Sequence, residues 1–322
     1  MVCTGKDMAL AAQLIREGKL VAFPTETVYG LGADAFNAAT VARVFETKER
    51  PSFDPLIVHI SSIDQLDELF LGPIDPRVYK LAEAFWPGPL TIVHNKQPHV
   101  PDLVTSGLST VAVRMPSHPM ALELIRQSGK AVAAPSANKF GCLSPTKAEH
   151  VIKQLKTIDY VLDGGATTIG VESTVVSVSE AGVKILRHGA IIREAIANVV
   201  DVIDEKDKVD TQGLPAPGMI KSHYSPLKPL YILKEGIPET LPAGSGIIVN
   251  DARVMPHLPE VKNMALSQDG DLNEMAVNLF ATLHAMEDDE QVREIYIQPV
   301  EEKGIGRAIM DRLRKASYNY QK

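Results

Sequence analysis

Two rhythms of apolar and polar positions alternate along the first two hundred residues. Apolar residues recur at helical spacing over Met8–Arg16, and the same spacing returns at 40–49, 76–85, 119–127 and 146–155. Between these helices lie short apolar runs, typical of strands, at 20–23, 56–60, 90–93, 110–114, 131–134 and 174–178. Strands interleaved with helices predict an α/β domain whose sheet is covered by helices on at least one face.

The pattern breaks between 201 and 229, where charged residues are followed by a stretch rich in glycine and proline. We interpret residues 206–229 as a linker between a domain at 1–205 and a smaller α/β domain at 230–322. The elements of the second domain are predicted at 230–233, 246–250, 272–286, 294–297 and 306–315. Two domains agree with a length of 322 residues, because single cores stop growing near ~250–300 residues.

The composition is that of a folded protein, with 45% hydrophobic and 23% charged residues. The apolar runs are far shorter than the ~20 residues of a membrane-spanning helix, and the N-terminus lacks a secretory signal. We therefore expect a cytoplasmic protein with no membrane partner. Two distant cysteines, Cys3 and Cys142, indicate neither a disulfide framework nor a zinc site.

The formal net charge of −7 disfavours nonspecific coating of nucleic acid, which depends on lysine and arginine. Most of this charge lies in residues 229–322, whose net charge is −5, whereas residues 1–228 are nearly neutral at −2. A near-neutral first domain is compatible with local groups of basic residues that bind anionic substrates.

Common nucleotide and hydrolase motifs are missing from the sequence, which has no GxxxxGK[ST] loop, no HExxH pair and no GxSxG turn. The segment 304–306, Gly-Ile-Gly, lacks the third glycine of a dinucleotide fingerprint. It either starts a helix or cradles an anion on the helix amides. We predict no metal held by protein ligands.

Polar side chains instead follow the strand-like runs, where ligands bind in α/β folds. The loop at 24–32 offers hydroxyls, the phenol of Tyr29 and glycines. Lys48 and Arg50 stand at the end of a helix, where they either cap its last carbonyls or hold a triphosphate. Arg114 ends a strand and is suited to a free carboxylate. Further polar segments lie at 134–144, 172–174 and 187–189.

In this order, the segments resemble those of the YrdC/Sua5 family. The first domain carries FPTETVYGLG at 23–32, KxRP at 48–51, PLIVHI at 55–60, WPGPLT at 86–91, TVAVRMPSHP at 110–119, APSAN at 134–138, ESTVV at 172–176 and RHG at 187–189. PGMIKSHYSP at 217–226 and GIGRAIMDRL at 304–313 are similar to the two-domain Sua5 branch. The resemblance implies a YrdC-like twisted open sheet with flanking helices and a smaller Rossmann-like C-terminal domain.

The resemblance also implies an activity, the synthesis of L-threonylcarbamoyladenylate from L-threonine, bicarbonate or CO2, and ATP, with release of pyrophosphate. It implies a nucleotidyltransferase that uses Mg2+ with its ATP. The downstream partner that the resemblance implies is the tRNA threonylcarbamoyl-transfer machinery of t6A modification at adenosine 37. Because a carbamate oxygen must attack the α-phosphorus of ATP, positioning and charge neutralisation are expected to dominate over covalent chemistry.

By the same resemblance, two groups of residues form the substrate sites, and Lys48 and Arg50 are the catalytic candidates. The L-threonine site is expected at Thr27, His59, Arg114, the Ala134 backbone and Ser173. The ATP site is expected at Arg50, Asp54, Thr110, Ser136, Asn138, Ser144, Arg187, His223 and Tyr224. Tyr29 is a further candidate that alternatively only packs.

Asp54 departs from the family pattern, which has asparagine at this position. A carboxylate beside a triphosphate repels it unless Mg2+ or Arg50 compensates. The linker, with His223 and Tyr224, is expected to fold over the first domain as a lid. The second domain is then expected to anchor that lid rather than contribute chemistry.

Two other functions stay open at the level of sequence. Relatives of the first domain are described as having a basic concave surface, which favours a double-stranded RNA or tRNA-binding module without its own catalysis. A carbamoyl-transfer factor with a YrdC-like domain is the third possibility, although the length leaves no room for the acylphosphatase and zinc-finger regions of such factors. Release of pyrophosphate that depends on threonine and bicarbonate separates the first two.

Overall fold

The computed structural model describes residues 2–203 and 223–320, which form two sheets with helices packed on them. The strands of the first sheet are β1 (Cys3–Gly5), β2 (Val21–Phe23), β3 (Gly30–Asp34), β4 (Ile57–His59), β5 (Leu90–Asn95), β6 (Thr110–Arg114), β7 (Val132–Ala133), β8 (Tyr160–Leu162), β9 (Thr174–Ser179) and β10 (Gly182–Arg187). Their order is β1-β8-β2-β3-β7-β4-β6-β5-β9-β10, with parallel and antiparallel neighbours.

Helices cover both faces of this sheet, but unequally. They are α1 (Met8–Arg16), α2 (Ala38–Lys48), α3 (Leu66–Leu69), α4 (Pro76–Phe85), α5 (Asp102–Thr105), α6 (Pro119–Ser128), α7 (Ala148–Gln154) and α8 (Arg193–Ala197). The main core lies between one sheet face and the helices α2 to α5, α7 and α8. On the other face, α1 and α6 pack on β2, β7 and β8 through residues such as Ile15 and Leu124.

Along β4 and β6, successive side chains point to opposite faces of the sheet. In β6, Val111 and Val113 point into the main core, so Arg114 points to the opposite face. The parallel register pairs His59 of β4 with Arg114. Both side chains therefore stand next to each other on what we call the site face of the sheet.

Helix α2 ends in a way that separates Lys48 from Arg50. Asn37 caps its first turn by accepting a hydrogen bond from the Thr40 amide. At the other end, Glu49 adopts a left-handed conformation with φ 55° and turns the chain out of the helix. Lys48 thus belongs to the last helical turn, whereas Arg50 belongs to the segment that follows.

The second domain is a small α/β domain, as predicted; its sheet is parallel, and its helices pack against the first domain. Its strands are β11 (Leu230–Ile232), β12 (Ser245–Asp251), β13 (Lys262–Ser267) and β14 (Glu294–Ile297), in the order β11-β14-β12-β13; its helices are α9 (Leu272–Asp288) and α10 (Gly306–Ser317). One apolar cluster contains both helices and continues into Val28, Leu143 and Val171 of the first domain. The two domains therefore share a buried apolar interface.

The structure corrects the sequence interpretation of the loop at 24–32, because residues 30–32 belong to β3 and pair antiparallel with β2. Glycine-rich strands give no strand signal, yet Gly32 is required: a Cβ there would approach the Phe23 ring to 2.9 Å. The sequence pattern also gives no range for β1, β8, β10 or β13.

The predicted linker lies largely outside the described residues, which resume at His223. The domain boundary at 205–206 and the lid therefore stay predictions. No helix within 2–203 or 223–320 is long and apolar enough to cross a membrane.

Candidate active site

A narrow cavity of about 50 Å³, lined by several polar and charged residues, lies on the site face of the first sheet. Ten predicted site residues line it: Thr27, Arg50, His59, Arg114, Ala134, Ser136, Ser173, Arg187, His223 and Tyr224. The structure therefore brings together residues that are spread over about two hundred positions of the chain. Five other predicted residues, Lys48, Asp54, Thr110, Asn138 and Ser144, do not line it.

The Arg114 guanidinium is buried against Glu26, Thr27 and Gly88. Nη2 donates to Glu26 Oε1 at 2.6 Å, Nη1 donates to Thr27 Oγ1 at 3.0 Å, and Nε donates to the Gly88 carbonyl at 3.3 Å. Since arginine has five N–H groups, each terminal nitrogen keeps one more. That pair suits bidentate binding of a carboxylate.

His59 lies beside Arg114 and meets the Phe23 ring edge-on, with the ring centroids 6.1 Å apart. Its Nδ1 is 3.2 Å from the Ile57 carbonyl oxygen. Burial, and then the charge of Arg114, lowers the pKa of His59 to about 3. The imidazole is thus neutral near pH 7, where it acts as a hydrogen-bonding group rather than as a cation.

Lys48 lies behind the cavity and supports the turn at 134–138. Its Nζ donates to the carbonyls of Ser136 and Asn138, both at 2.5 Å. Burial, and then the charge of Arg50, lowers the pKa of Lys48 well below its usual value. Asn138 shapes the same turn, because its Nδ2 donates to the carbonyls of Lys139 and Cys142. Both side chains reach the cavity only through the backbone that they hold.

Arg50 lines the cavity and pairs with Asp54 behind it. Nη2 lies 2.9 Å from Asp54 Oδ2 and donates to the Pro55 carbonyl at 2.8 Å, while Nε donates to the Asp54 carbonyl at 3.0 Å. In the described part of the chain no group accepts from Nη1, which leaves that edge for a ligand. Arg50 therefore offsets the negative charge of Asp54, which would otherwise repel a triphosphate.

Ser173 and Arg187 form the opposite wall. Arg187 Nη2 donates to the carbonyl of Ser173 at 2.9 Å and to its hydroxyl at 3.1 Å, and that hydroxyl is 2.8 Å from Thr91 Oγ1. Glu172 also lines the cavity, and its Oε1 accepts a hydrogen bond from Ser144 Oγ at 2.5 Å. Ser144 thus contacts the wall residue Glu172 rather than the cavity itself.

His223 and Tyr224 line a further side of the cavity. The His223 ring meets the Phe140 ring edge-on at 5.5 Å, and its buried Nδ1 has no hydrogen-bond partner within 2–203 and 223–320. Burial, and then Arg50, lowers the pKa of His223 well below its usual value, whereas burial raises the pKa of Tyr224. Both are neutral groups near pH 7.

Thr110 and Tyr29 lie away from the narrow cavity. Thr110 is on the same strand face as Arg114 but ~13 Å along β6, at ~3.3 Å per residue, and lines a second cavity of about 1100 Å³. The two cavities therefore adjoin the same face of the sheet. Tyr29 packs in the main core, and its hydroxyl donates to the Gly165 carbonyl at 2.7 Å. This placement matches the alternative in which Tyr29 only packs.

Sequence reasoning missed three charged residues at this site, Glu26, Glu172 and Arg312. The two glutamates stand inside the motifs, each next to a predicted residue, and buried arginines nearby require such carboxylate partners. Arg312 comes from α10, where its Nε donates to Glu172 Oε2 at 2.9 Å. The second domain thus reaches the wall of the cavity.

The arrangement defines a class of protein: an α/β protein whose buried arginines converge on one cavity at strand ends, where such groups are suited to anionic small molecules. The chain belongs to the Sua5/YciO/YrdC family. That family model, described as telomere recombination, matches residues 13–189, which is more than half of the chain. The model of the threonylcarbamoyl-AMP synthase C-terminal domain matches residues 191–317.

Relatives of similar length share both domains. The threonylcarbamoyl-AMP synthase of Pyrococcus abyssi (strain GE5 / Orsay) is 43% identical over 318 residues, covering 96% of this chain and 93% of the relative. That of Bacillus subtilis (strain 168) is 42% identical over 325 residues, covering 97% and 93%. The crystal structure of P. abyssi Sua5 complexed with L-threonine has a TM-score of 0.85 and 39% identity, covering 99% of this chain and 98% of that one. The predicted fold is confirmed.

Proposed function

We propose that the chain condenses L-threonine, bicarbonate or CO2, and ATP into L-threonylcarbamoyladenylate, acting as a nucleotidyltransferase that releases pyrophosphate. The carrying observation is the convergence of three buried arginines, Arg50, Arg114 and Arg187, on one cavity. A carboxylate and a triphosphate are the anions that such arginines bind. Similarity to threonylcarbamoyl-AMP synthases over nearly the full chain supports the same reaction.

L-Threonine is assigned to the side of the cavity that holds Arg114. The carboxylate takes the two remaining N–H groups of Arg114, while Glu26 and Thr27 keep the guanidinium fork in place. The neutral His59 stands next to the same arginine, and the Ala134 backbone lines the same cavity; both are suited to the polar groups of the amino acid.

The reaction then needs charge neutralisation at the phosphates. The threonine amine adds to CO2 and loses a proton to water, which gives a carbamate. A carbamate oxygen attacks the α-phosphorus of ATP, and the bond to the bridging oxygen breaks so that pyrophosphate leaves with its electron pair. Arg50 and Arg187 are fixed by backbone carbonyls, so they meet the developing charge with little reorganisation.

ATP is proposed to extend along the site face toward Thr110. With a volume of about 50 Å³, the narrow cavity does not enclose a nucleotide as it stands. The wider cavity that Thr110 lines adjoins the same face. Ser136, Arg50 and Arg187 would then meet the phosphate end.

Mg2+ is proposed to enter with ATP. Within 2–203 and 223–320, no three His, Cys, Asp or Glu side chains are grouped so that they could hold a metal ion. The carboxylates at and beside the cavity, Glu26, Asp54 and Glu172, are each paired with an arginine. Because these carboxylates already have arginine partners, the site fits a Mg2+ ion that is held by phosphate oxygens. Bound there, Mg2+ would withdraw charge from the triphosphate.

The product is a mixed anhydride of a carbamate and a phosphate, which is reactive and must be consumed by an acceptor. We assign that role to the tRNA threonylcarbamoyl-transfer machinery acting on adenosine 37. This chain supplies the activated group and leaves transfer to that partner.

The test is pyrophosphate release from ATP by the purified chain without tRNA. Release is expected only when L-threonine, bicarbonate and Mg2+ are all present, and label from threonine should appear in an AMP adduct. EDTA should abolish release and excess Mg2+ should restore it. Release that ignores threonine would indicate simple ATP hydrolysis, and no release together with tight retention of double-stranded RNA would favour the binding module instead.

A further inference from the structure

Arg312 is a second-domain side chain buried in the wall of the first-domain cavity. It lies on α10 and is 1% exposed. Its Nε donates to Glu172 Oε2 at 2.9 Å, and its Nη1 donates to the carbonyl of His188. Glu172 is 140 positions away along the chain. One guanidinium therefore bridges two separate segments of the other domain.

Those two segments carry the residues that line the cavity. Glu172 lines it directly and precedes Ser173, while His188 follows Arg187. Ser173 and Arg187 are in turn joined by the hydrogen bonds of the Arg187 guanidinium. Arg312 thus holds, from behind, the start of β9 and the end of β10 where they face the cavity.

Arg312 also supports a third side of the cavity. Its Cζ lies 5.5 Å from the centroid of the Tyr224 ring, which is the geometry of a cation–π contact. Tyr224 is buried and lines the cavity with a positive φ of 63°, so its backbone needs support from its surroundings. The guanidinium plane supplies that support on one side of the ring.

The docking of the two domains does not depend on Arg312. Their shared apolar cluster joins α9 and α10 to Val28, Leu143 and Val171. Outside that cluster, Arg307 pairs with Glu194 at 2.9 Å across the same interface. Loss of Arg312 is therefore expected to disturb the cavity wall without separating the domains.

We propose that Arg312 is a positioning residue of the reaction, through which the second domain holds Glu172, the 187–188 segment and Tyr224 in their catalytic arrangement. It does not line the cavity, so it acts through these residues rather than by touching substrate. The inference deepens the proposed function and rests on it. It assigns to the second domain a direct share in building the active site.

The experiment compares Arg312→Met, Arg312→Lys and the control Arg307→Met in the full-length chain. Arg312→Met should lower kcat/KM for pyrophosphate release by about 100-fold, the effect of misplacing a reacting group by about 1 Å. Arg312→Lys keeps the charge on Glu172 but loses the fork that bridges to His188, so it should recover only part of the loss. Arg307→Met removes an exposed pair from the same helix and should stay within about twofold of wild type.

The split between kcat and KM separates positioning from mere stability. A misplaced cavity wall in Arg312→Met should raise KM for ATP, because Arg187 and Tyr224 belong to the proposed ATP site. A smaller folded fraction alone would lower kcat and leave KM unchanged. The thermal midpoint of each variant is measured alongside.

Two results would overturn the proposal. One is wild-type kcat and KM in Arg312→Met; the other is a loss of activity that follows the thermal midpoint equally in the Arg312 and Arg307 variants. If Arg312→Met does not fold, Arg312→Lys decides, because a folded Lys variant with full kcat/KM contradicts positioning. A wild-type chain without threonine-dependent pyrophosphate release would contradict the proposed function itself, so the two failures are distinct.

Discussion

The ammonium group of Lys48 donates a hydrogen bond of 2.5 Å to the backbone carbonyl of Ser136, and a second one of the same length to that of Asn138. The turn between Ala134 and Asn138 is thereby attached to the end of helix α2. Because Ala134 and Ser136 both line the cavity, this turn contributes to both proposed substrate sites.

Lys48→Met is expected to raise KM for ATP and for L-threonine together, by about tenfold each. The substitution leaves two buried carbonyls unpaired, at a cost of roughly 1–3 kcal/mol each, so the whole turn should shift. A lysine that contacted only the triphosphate would instead raise KM for ATP alone. Steady-state kinetics with each substrate varied in turn distinguishes these outcomes.

Lys139→Met is the matched control for this prediction. Lys139 belongs to the adjoining segment, but it pairs at the surface with Glu49 at 2.5 Å. Its removal should leave both KM values within about twofold of wild type, since exposed pairs contribute little. An ATP-only effect in Lys48→Met would return that residue to the phosphate site.

Periodicity predicts the regular elements of this chain well where the pattern is strong. The helix at 76–85 and the strand at 110–114 have the predicted bounds. β3 is missed because its sequence is GLGAD, and a strand that needs glycine for close packing on Phe23 gives no β-branched signal. Strand order also escapes prediction, because it depends on contacts between distant segments.

The candidate site shows the same division between local and non-local information. The KxRP motif makes Lys48 and Arg50 joint catalytic candidates, yet only Arg50 lines the cavity, because the chain leaves the helix at Glu49. Arg312 could not be assigned at all from the sequence. Nothing near position 312 indicates a partner 140 residues earlier.

Arg50→Lys and Arg114→Lys should separate the two substrate sites. Lysine preserves the charge beside Asp54 or Glu26 but cannot form the bidentate fork. Arg50→Lys is expected to raise KM for ATP about tenfold, and Arg114→Lys to raise KM for L-threonine about tenfold, the loss of one charge-assisted hydrogen bond. Each variant controls for the other, and interchanged effects would refute the assignment of carboxylate to Arg114 and phosphates to Arg50.

Asp54→Asn tests whether the carboxylate opposes the nucleotide. The amide keeps the shape of the side chain but removes the charge that neutralises Arg50 at 2.9 Å. KM for ATP should therefore fall about fivefold, a change in binding free energy of about 1 kcal/mol, while KM for L-threonine stays unchanged. Isothermal titration with a non-hydrolysable ATP analogue measures the same change as a dissociation constant.

The control for Asp54→Asn is Glu49→Gln, an exposed acid five positions earlier that pairs with Lys139. It should not change ATP affinity. Weaker ATP binding in Asp54→Asn would mean that the carboxylate orients Arg50 and that this orientation outweighs its repulsion of phosphate.

Two stacked histidines make the interface between the domains sensitive to acid. His150 of α7 and His284 of α9 lie with their ring centroids 3.8 Å apart and their planes at 24°. Burial lowers the pKa of His150 to about 3, with His284 adding to the effect, and burial lowers the pKa of His284 to about 4, with Lys153 adding to it. In the folded chain both imidazoles therefore stay neutral well below the ordinary histidine pKa.

The sign of the effect follows from proton uptake. Below about pH 6.5 the unfolded chain protonates both histidines, whereas the folded chain does so only near pH 4 and below, so the free energy of unfolding falls with falling pH over this window. The slope is at most ~1.4 kcal/mol per pH unit for each histidine, or about 2 kcal/mol each between pH 6.5 and 5. Urea unfolding measures the free energy of unfolding at pH 7 and at pH 5. Its loss between the two pH values should be smaller in His150→Gln than in wild type, by about 2 kcal/mol. His257→Gln, at an exposed position, should keep the wild-type difference. An unchanged pH dependence in His150→Gln would show that the stacked pair takes up its protons in the folded chain.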